Sequence, residues 1–490
     1  MARQRNTVPP PRCHIYMQLP DISKTVIAPA TAPGKGALSV IRMTGPDSFL
    51  IFSKLSSDRY RNPENRQVSL VKIRKNREII DEAVVVFFKN PHSYTGEDTV
   101  EITCHGSPYI VREILAAASA AGATQASPGE FTLRAFINGK LDLAEAEAVN
   151  ALIASDSAAA HHAALTQLEG SVSDIVSLMK EETLELLSEL EVRLDDSDGD
   201  IFPIDTRNFL VRVQNLTRRI DDFAEGFRAG RNISEGIRVV LTGAPNSGKS
   251  SLMNMLLGFD RAIVSPEAGT TRDTLEDHVE INGIKIILTD TAGLSAVAGD
   301  VIEAEGMKRA MSALRRADTV LLLKDSSVPE SEADRIAAEC VRKNMPDGAE
   351  LVHIFTKTDI SGLKGTEIVC SRNSSDTGTG SACPPESIYI SCRTGEGIKK
   401  LGNRLTEKIS AGISDREMPS VLFLRHYEAL VQASSELKEL VKIIDSGKNT
   451  MLEIAAEHLR AALKAFGLIT GETAADDVLA KIFSGFCVGK

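Results

Sequence analysis

The chain has 490 residues, 42% hydrophobic and 25% charged, the balance of a globular protein of about three domains. Its 56 Lys and Arg stand against 67 Asp and Glu, a formal net charge of −11. That excludes a general basic coat for nucleic acid but leaves room for a local basic patch or a basic partner. Seven cysteines (Cys13, Cys104, Cys340, Cys370, Cys383, Cys392, Cys487) form no CxxC pair. Neither a disulfide framework nor a structural zinc site is expected, and a reducing cytoplasm is.

Residues 1–21 carry Arg3, Arg5 and Arg12, no apolar h-region, and the run Pro9-Pro10-Pro11, so they read as a disordered tail rather than a transit peptide. From residue 22 the pattern is rich in strands, at 26–28, 36–42, 68–73, 83–88 and 99–104, with a helix at 108–121. This predicts an α+β domain over 22–138. The composition then shifts to Ala, Leu and Glu. Val172, Val176, Met179, Leu186, Leu187, Leu190 and Leu194 mark a helix over 172–194, and a second helical block covers 210–227. A break is expected at Gly230-Arg231-Asn232. From Gly236 to about 418 strands alternate with helices, as in a parallel α/β sheet. Residues 421–440 and 451–466 are helical again. The fold class is therefore multidomain α/β plus α: an N-terminal α+β domain, an all-helical domain split in two, and an inserted α/β domain. The Ser-, Thr- and Gly-rich stretch 371–387 reads as a surface loop. No apolar run approaches the roughly 20 residues of a membrane span.

Gly243-Ala244-Pro245-Asn246-Ser247-Gly248-Lys249-Ser250 fits G-x-x-x-x-G-K-[ST], after an apolar strand at 237–241 and before a helix at 250–257. Its backbone N–H groups suit a β-phosphate, Lys249 the β- and γ-phosphates, and the Ser250 hydroxyl a Mg²⁺ ion. Downstream, Gly269-Thr270-Thr271-Arg272-Asp273 offers a hydroxyl to the metal. Asp290-Thr291-Ala292-Gly293 follows a strand at 285–289, where the acid orders the Mg²⁺ shell and the glycine senses the γ-phosphate. Thr356-Lys357-Thr358-Asp359 follows a strand at 350–355, and Asp359 can accept two hydrogen bonds from guanine. Ser391-Cys392-Arg393 then backs the base. This order indicates a GTPase. Thr356 replaces the usual Asn of the base-reading motif, which predicts a looser tether to the phosphate loop.

Many small GTPases place Gln after the Asp-x-x-Gly motif to orient water; this chain has Leu294, which cannot. Asp300, Glu303 and Glu305 are the candidates, and spacing does not choose among them. Charge in the transition state also needs a cation besides Lys249, either an arginine finger or a monovalent ion.

Outside this region lie Ala32-Pro33-Gly34-Lys35-Gly36, Ser93-Tyr94-Thr95-Gly96-Glu97-Asp98, Pro128-Gly129-Glu130-Phe131, Asn138-Gly139-Lys140 running on to Glu147, and Phe486-Cys487-Val488-Gly489-Lys490. Carrying these together, the chain resembles the bacterial and organellar tRNA modification GTPase family MnmE, also called TrmE, over about 22–490. The resemblance implies a folate-binding, dimerising N-terminal domain (22–138), a helical domain in two halves (139–235 and 418–490) and an inserted Ras-like P-loop G domain (236–417). It implies a homodimer that joins a FAD-dependent MnmG/GidA-type partner in a heterotetramer. The assembly would add a carboxymethylaminomethyl-type group to C5 of the wobble uridine of tRNA. The one-carbon unit would come from 5-formyl- or 5,10-methylene-tetrahydrofolate. K⁺-dependent pairing of G domains would stimulate GTP hydrolysis.

By that resemblance the GTP-binding set is Asn246, Ser247, Gly248, Lys249, Ser250 and Ser251, with Ser265, Pro266, Glu267, Ala268, Gly269, Thr270 and Thr271. Asp290, Thr291, Ala292 and Gly293 join it, as do Thr356, Lys357, Asp359, Ser391, Cys392 and Arg393. Mg²⁺ falls to Ser250 and Thr271, and K⁺ to Asn246, Ser265, Glu267 and Thr270. Glu303 matches the water-orienting residue, with Glu305 its rival, beside Lys249 in catalysis. Arg42, Glu101, Lys140 and Lys490 match folate contacts; Arg42 and the lysines suit the glutamate carboxylates, and Glu101 the pterin N–H edge. Cys487 is either a reactive thiol or a buried inert one. The run Asp195-Asp196-Ser197-Asp198 fails the EF-hand template, and His161-His162 lacks partners for a metal. A ribosome-assembly or RNA-binding GTPase switch is the competing reading, and it would be expected to carry a basic module such as a KH domain. A purely structural, dimerising GTPase is the third.

Overall fold

The structure is a computed structural model that describes residues 19–56, 60, 62–194, 205–259, 276–290, 308, 310–361, 387–414, 422–445 and 452–489. It divides into two compact units. Unit 1 comprises Met1–Asn150, Gln167–Leu216 and Gln432–Lys490, and unit 2 comprises Ala151–Thr166 and Thr217–Val431.

In unit 1, β1 (Val26–Pro29), β2 (Leu38–Thr44), β3 (Val68–Lys75), β4 (Glu78–Phe88), β5 (Thr99–His105) and β6 (Thr124–Gln125) form one sheet in the order β3-β4-β5-β2-β1-β6. Only β1 and β6 pair in parallel. Strand alternation sends Ile41, Met43, Ile73, Val85, Phe87, Val100 and Ile102 to one face. There they meet Phe49, Phe52 and Leu55 of α1 (Ser48–Leu55) and Ile114 and Ala118 of α2 (Pro108–Ala121). α2 keeps its expected bounds because both ends are signalled. Proline opens it, and Gly122, at φ +123°, donates its N–H to the carbonyls of Ala118 and Ser119.

α3 (Glu130–Ile137) carries a buried cation. Arg134 is 1% exposed; its guanidinium donates to Glu130 at 2.8 Å, to Glu97 at 3.0 Å, and to the carbonyls of Ile22 and Lys24 at 3.2 and 2.8 Å. One side chain thus ties the entry to β1, the 93–98 loop and α3. α4 (Leu143–Ala154) follows, then α5 (Ala158–Leu168) and α6 (Ser171–Leu194). α6 buries Val172, Val176, Met179, Thr183, Leu186 and Leu190, and packs on the helix Leu452–Thr470, whose stripe of Ala455, Ala456, Leu459, Ala462 and Phe466 is equally buried. Alanines there let the axes approach closely. The last helix, Asp476–Ser484, sets Phe483 against Leu133 and Phe136 of α3.

α7 (Thr206–Glu225) leads to α8 (Phe227–Glu235). The expected break at Gly230-Arg231-Asn232 is not there, since all three lie within α8. The turns fall instead at Gly226 and Gly236. An interior glycine costs about 1 kcal/mol, which burial of Ile233 on the same helix offsets.

Unit 2 holds β7 (Ile237–Gly243), β8 (Glu276–Ile281), β9 (Ile284–Asp290), β10 (Thr319–Asp325), β11 (Glu350–Thr356) and β12 (Ser387–Tyr389), in the order β12-β11-β10-β7-β9-β8. Every pairing except β8–β9 is parallel. Both faces are covered, as a parallel sheet requires. Val239, Leu241, Ile286, Leu321 and Ile354 meet Leu252 and Leu256 of α9 (Lys249–Phe259) on one side. Val240, Val320 and Leu322 meet Leu314, Ala337 and Val341 on the other. The chain thus combines a P-loop α/β fold with an α+β domain and long helices, the fold class expected. Among the described residues no helix is long and apolar enough to cross a membrane.

Replacing Arg134 with Met strands the Glu130 carboxylate, only 3% exposed. Arg134→Met should destabilise unit 1 by about 3–5 kcal/mol, read as a lowered melting midpoint by circular dichroism. Lys24→Met, which removes an exposed ammonium, should leave the midpoint in place.

Candidate functional site

β7 lies between β9 and β10, parallel to both, so the chain leaves it at the sheet edge where all three strands end. It turns there at Gly243, whose φ is +151°; a Cβ at this position would stand 2.3 Å from the Leu323 carbonyl oxygen. No other residue fits. Asn246 takes the left-handed region at φ +61°, which Asn tolerates, and Gly248 has φ +95°. α9 opens at Lys249, so its N-terminal N–H groups and dipole favour an anion at the loop. Lys249 is 8% exposed, and its ammonium donates to the carbonyls of Gly243 at 3.0 Å and Ala244 at 2.9 Å. Burial lowers its pKa, against the opposing pull of Asp290.

Asp290 ends β9 beside Leu241. Its Oδ2 accepts from the Ser250 hydroxyl at 3.3 Å, and its Oδ1 is buried with no hydrogen-bond partner among the described residues. A hydroxyl and an under-used carboxylate are the oxygen set a hard divalent cation takes, so these residues fit Mg²⁺. Ser251 is the exposed third residue of α9 and Ser247 is buried.

At the other end of the same sheet edge, Thr356 is 1% exposed and its hydroxyl donates to the Ser247 carbonyl at 2.7 Å. The looser tether expected from Thr in place of Asn is therefore corrected: the shorter side chain still reaches, because Gly248 leaves its backbone next to the Thr356 side chain. Lys357, at φ +58°, places its ammonium 2.5 Å from Asp325 at the end of β10. Burial acts to raise the Asp325 pKa, but bonds from Lys357 and Ser327 outweigh it and hold the carboxyl below its ordinary value. Asp359 is exposed, with Oδ1 fixed by the Ser391 hydroxyl at 2.8 Å. Ser391 is itself buried and accepts from the N–H groups of Arg393 and Thr394. Cys392 is half-buried, and burial followed by the Asp359 charge raises its pKa, so it remains a thiol.

In unit 1 Arg42 and Glu101 face each other across β2 and β5 and pair, Nη2 to Oε1 at 2.7 Å and Nε to Oε1 at 2.8 Å. The two residues expected to take separate roles thus form one ion pair here. Its guanidinium also lies over the rings of Tyr94 at 5.3 Å and Phe131 at 5.8 Å, two residues that motif reading quoted without giving them a role. Tyr94 bonds Thr132 at 2.9 Å, and burial raises its pKa. Lys140 is exposed, donates to the Pro91 carbonyl, and packs against Gly96 of the loop that carries Tyr94. The terminal motif passes close to β1 and α3. The Cys487 carbonyl accepts from Gly129, and a Cβ on Gly489 would stand 2.1 Å from the Pro29 oxygen. Cys487 itself is exposed, which sets aside the buried, inert alternative. His161 and His162 are exposed on α5.

Several expected residues lie outside the described residues: Ser265, Pro266, Glu267, Ala268, Gly269, Thr270, Thr271, Thr291, Ala292, Gly293, Leu294, Asp300, Glu303, Glu305 and Lys490, together with 195–200 and most of 371–387. Asp325 is the site residue that spacing missed. It ends β10, a position that becomes informative only once the sheet order sets it beside Thr356.

Comparison with known proteins adds two family models. "MnmE helical domain" matches residues 143–487 and "GTP-binding protein TrmE N-terminus" matches 25–140. Curated proteins named tRNA modification GTPase MnmE align nearly end to end. The one from Christiangramia forsetii is 36% identical, covering 96% of this chain and all of its own. That of Thermotoga maritima is 35% identical over 95% and 100%, and that of Cytophaga hutchinsonii 38% identical over 95% and 98%. Among solved structures, Era of Aquifex aeolicus is 24% identical over 40% of this chain and 65% of its own, with a TM-score of 0.25, a superposition too loose to argue from.

Thr356→Val keeps the shape and removes the hydroxyl, leaving the Ser247 carbonyl unpaired on that side. GDP affinity, followed with a fluorescent analogue, should fall about tenfold, or roughly 1–2 kcal/mol, whereas Thr356→Ser should stay within about threefold of the parent.

Proposed function

The chain belongs to the tRNA modification GTPase MnmE family, and from that premise we propose that it binds GTP at the edge of the unit 2 sheet and hydrolyses it in support of tRNA modification. The observation that carries this reading is that Asp290 and Thr356 end β9 and β11, while Lys249 and Asp359 follow just beyond the ends of β7 and β11, all at one edge of the parallel sheet. Lys249, which donates to two neutral carbonyls, gives its charge to the phosphates, and the α9 N-terminus adds backbone donors. Asp359 reads the guanine edge, with Ser391 holding the carboxylate in place. Mg²⁺, held by Ser250 with Thr271 and ordered by Asp290, would neutralise phosphate charge when bound. Ser247, Gly248 and Ser251 line the phosphates, Lys357 flanks the base and Cys392 and Arg393 close over it.

Leu294 cannot orient water, so a carboxylate does, and Glu303 is the choice over Glu305. Asn246 stands exposed on the loop, and its neutral carboxamide oxygen suits a weakly charged monovalent cation. With Ser265, Glu267 and Thr270 it would hold K⁺ in the place of an arginine finger as two G domains pair. Residues 265–271 and 290–293 would close around the triphosphate. We read residues 22–138, 139–235 with 418–490, and 236–417 as the folate-binding, helical and G domains.

Tyr94 and Phe131, with Arg42 over their rings, offer aromatic surface beside the Glu101 carboxylate, which suits the ring and N–H edge of a tetrahydrofolate. Lys140 and Lys490 suit its glutamate carboxylates, and Cys487 is exposed beside β1. In this reading a homodimer works in the cytoplasm with a FAD-dependent partner on the wobble uridine of tRNA.

GTP hydrolysis by the purified protein should run at least tenfold faster in KCl than in matched NaCl, about 1.4 kcal/mol of barrier. Equal rates would sink the potassium mechanism. Glu303→Ala should then cut kcat by about 100-fold with GTP affinity kept, while Glu305→Ala stays within a few-fold; the reverse pattern would move the role to Glu305.

A further inference from the structure

Unit 2 contains a second recess. A cavity of about 570 Å³ opens where β7, β10 and β11 begin, lined by Arg231, Arg238, Arg315, Arg316 and the ring pair Phe227 and Tyr427. These strands run parallel for seven residues each, so the cavity lies roughly 20 Å from the phosphate loop.

Four arginines gather at this cavity in an acidic chain. Arg212 pairs with Glu185 and Glu189, and Arg460 with Glu191 and Glu457. Arg315 and Arg316 are exposed, adjacent, and make no ion pair among the described residues. Arg231 is aimed by Asp318 at 2.7 Å, and the other oxygen of that carboxylate accepts from the Arg238 N–H at 3.0 Å. Asp318 is thus used up in positioning. Arg238 reaches Glu235 only at 3.4 Å, at an exposed pair. Arg315 and Arg316 both line the cavity, and guanidinium geometry matches phosphate oxygens in a bidentate way.

Phe227 and Tyr427 stack with centroids 4.8 Å apart and planes 19° apart, and both are half-buried. Such a stack can be extended by one more flat ring. The remaining acids of the lining, Glu225 and Asp347, are exposed and can accept N–H groups from a base. The volume suits one small molecule.

We propose that this cavity binds a nucleoside phosphate, its phosphate on Arg315 and Arg316 and its base against the Phe227–Tyr427 stack, independently of GTP at the phosphate loop. The test uses the full chain with the phosphate loop saturated by GDP, and AMP as the probe, because the Asp359 site favours guanine. Calorimetry should show one further equivalent of AMP per chain, with affinity falling as salt rises. The double variant Arg315→Gln with Arg316→Gln should weaken AMP at least tenfold and leave GDP affinity unchanged, which also reports that unit 2 remains folded. Absence of AMP binding, or AMP binding equal in parent and variant, would overturn the proposal. Loss of tRNA affinity in the variant with no AMP binding by the parent would overturn it in favour of an RNA backbone contact.

Discussion

The nucleotide site rests on the parallel pairing of β7 with a neighbour on each side. Its register sets Leu241 beside Asp290 and Gly243 beside Leu323, and the next pairing sets Asp325 beside Thr356. Parallel strands end together, so the Gly243–Ser250 loop, Asp290 and the Thr356–Asp359 segment arrive at one edge without any long-range instruction beyond strand order. The constraint is strict at one atom. Gly243 has no room for a side chain, and the loop's path depends on that clearance.

Each unit buries a cation, and the partners differ in a way that suits its use. Arg134 is met by two carboxylates and two carbonyls, so its charge is spent inside the fold. Lys249 is met by two carbonyls, and burial lowers its pKa. A charge left under-compensated in a partly dry site is what a phosphate can stabilise. The first arrangement holds structure, and the second keeps electrostatic capacity in reserve.

The nucleotide motifs were legible because phosphate, metal and base each demand particular residues at short spacing. Strand β7 was legible because burial on both faces leaves a plain apolar run. α1 and α3 were not. In α3, Glu130, Thr132 and Arg134 are all buried, so polarity no longer signals exposure and the helical period is masked. The cross-strand pairing of Arg42 with Glu101 spans 59 residues and exists only through the register of β2 on β5. Thr356 shows the opposite error: a departure from the usual residue looked like a loss, whereas proximity to Gly248 lets a hydroxyl do the work of an amide.

The packing of α6 on Leu452–Thr470 bears on how the chain comes to be folded at all. α6 is synthesised with the whole of the unit 2 sheet still to follow, and its apolar stripe must wait for a partner near the end of the chain. The sheet, whose contacts are complete before that partner emerges, can form first. Loop-closure entropy grows only slowly with length, so a folded insertion between the two helices adds little to the cost of bringing them together. What it adds is time, during which Val176, Leu186 and Leu190 remain open to chaperones or to another nascent chain.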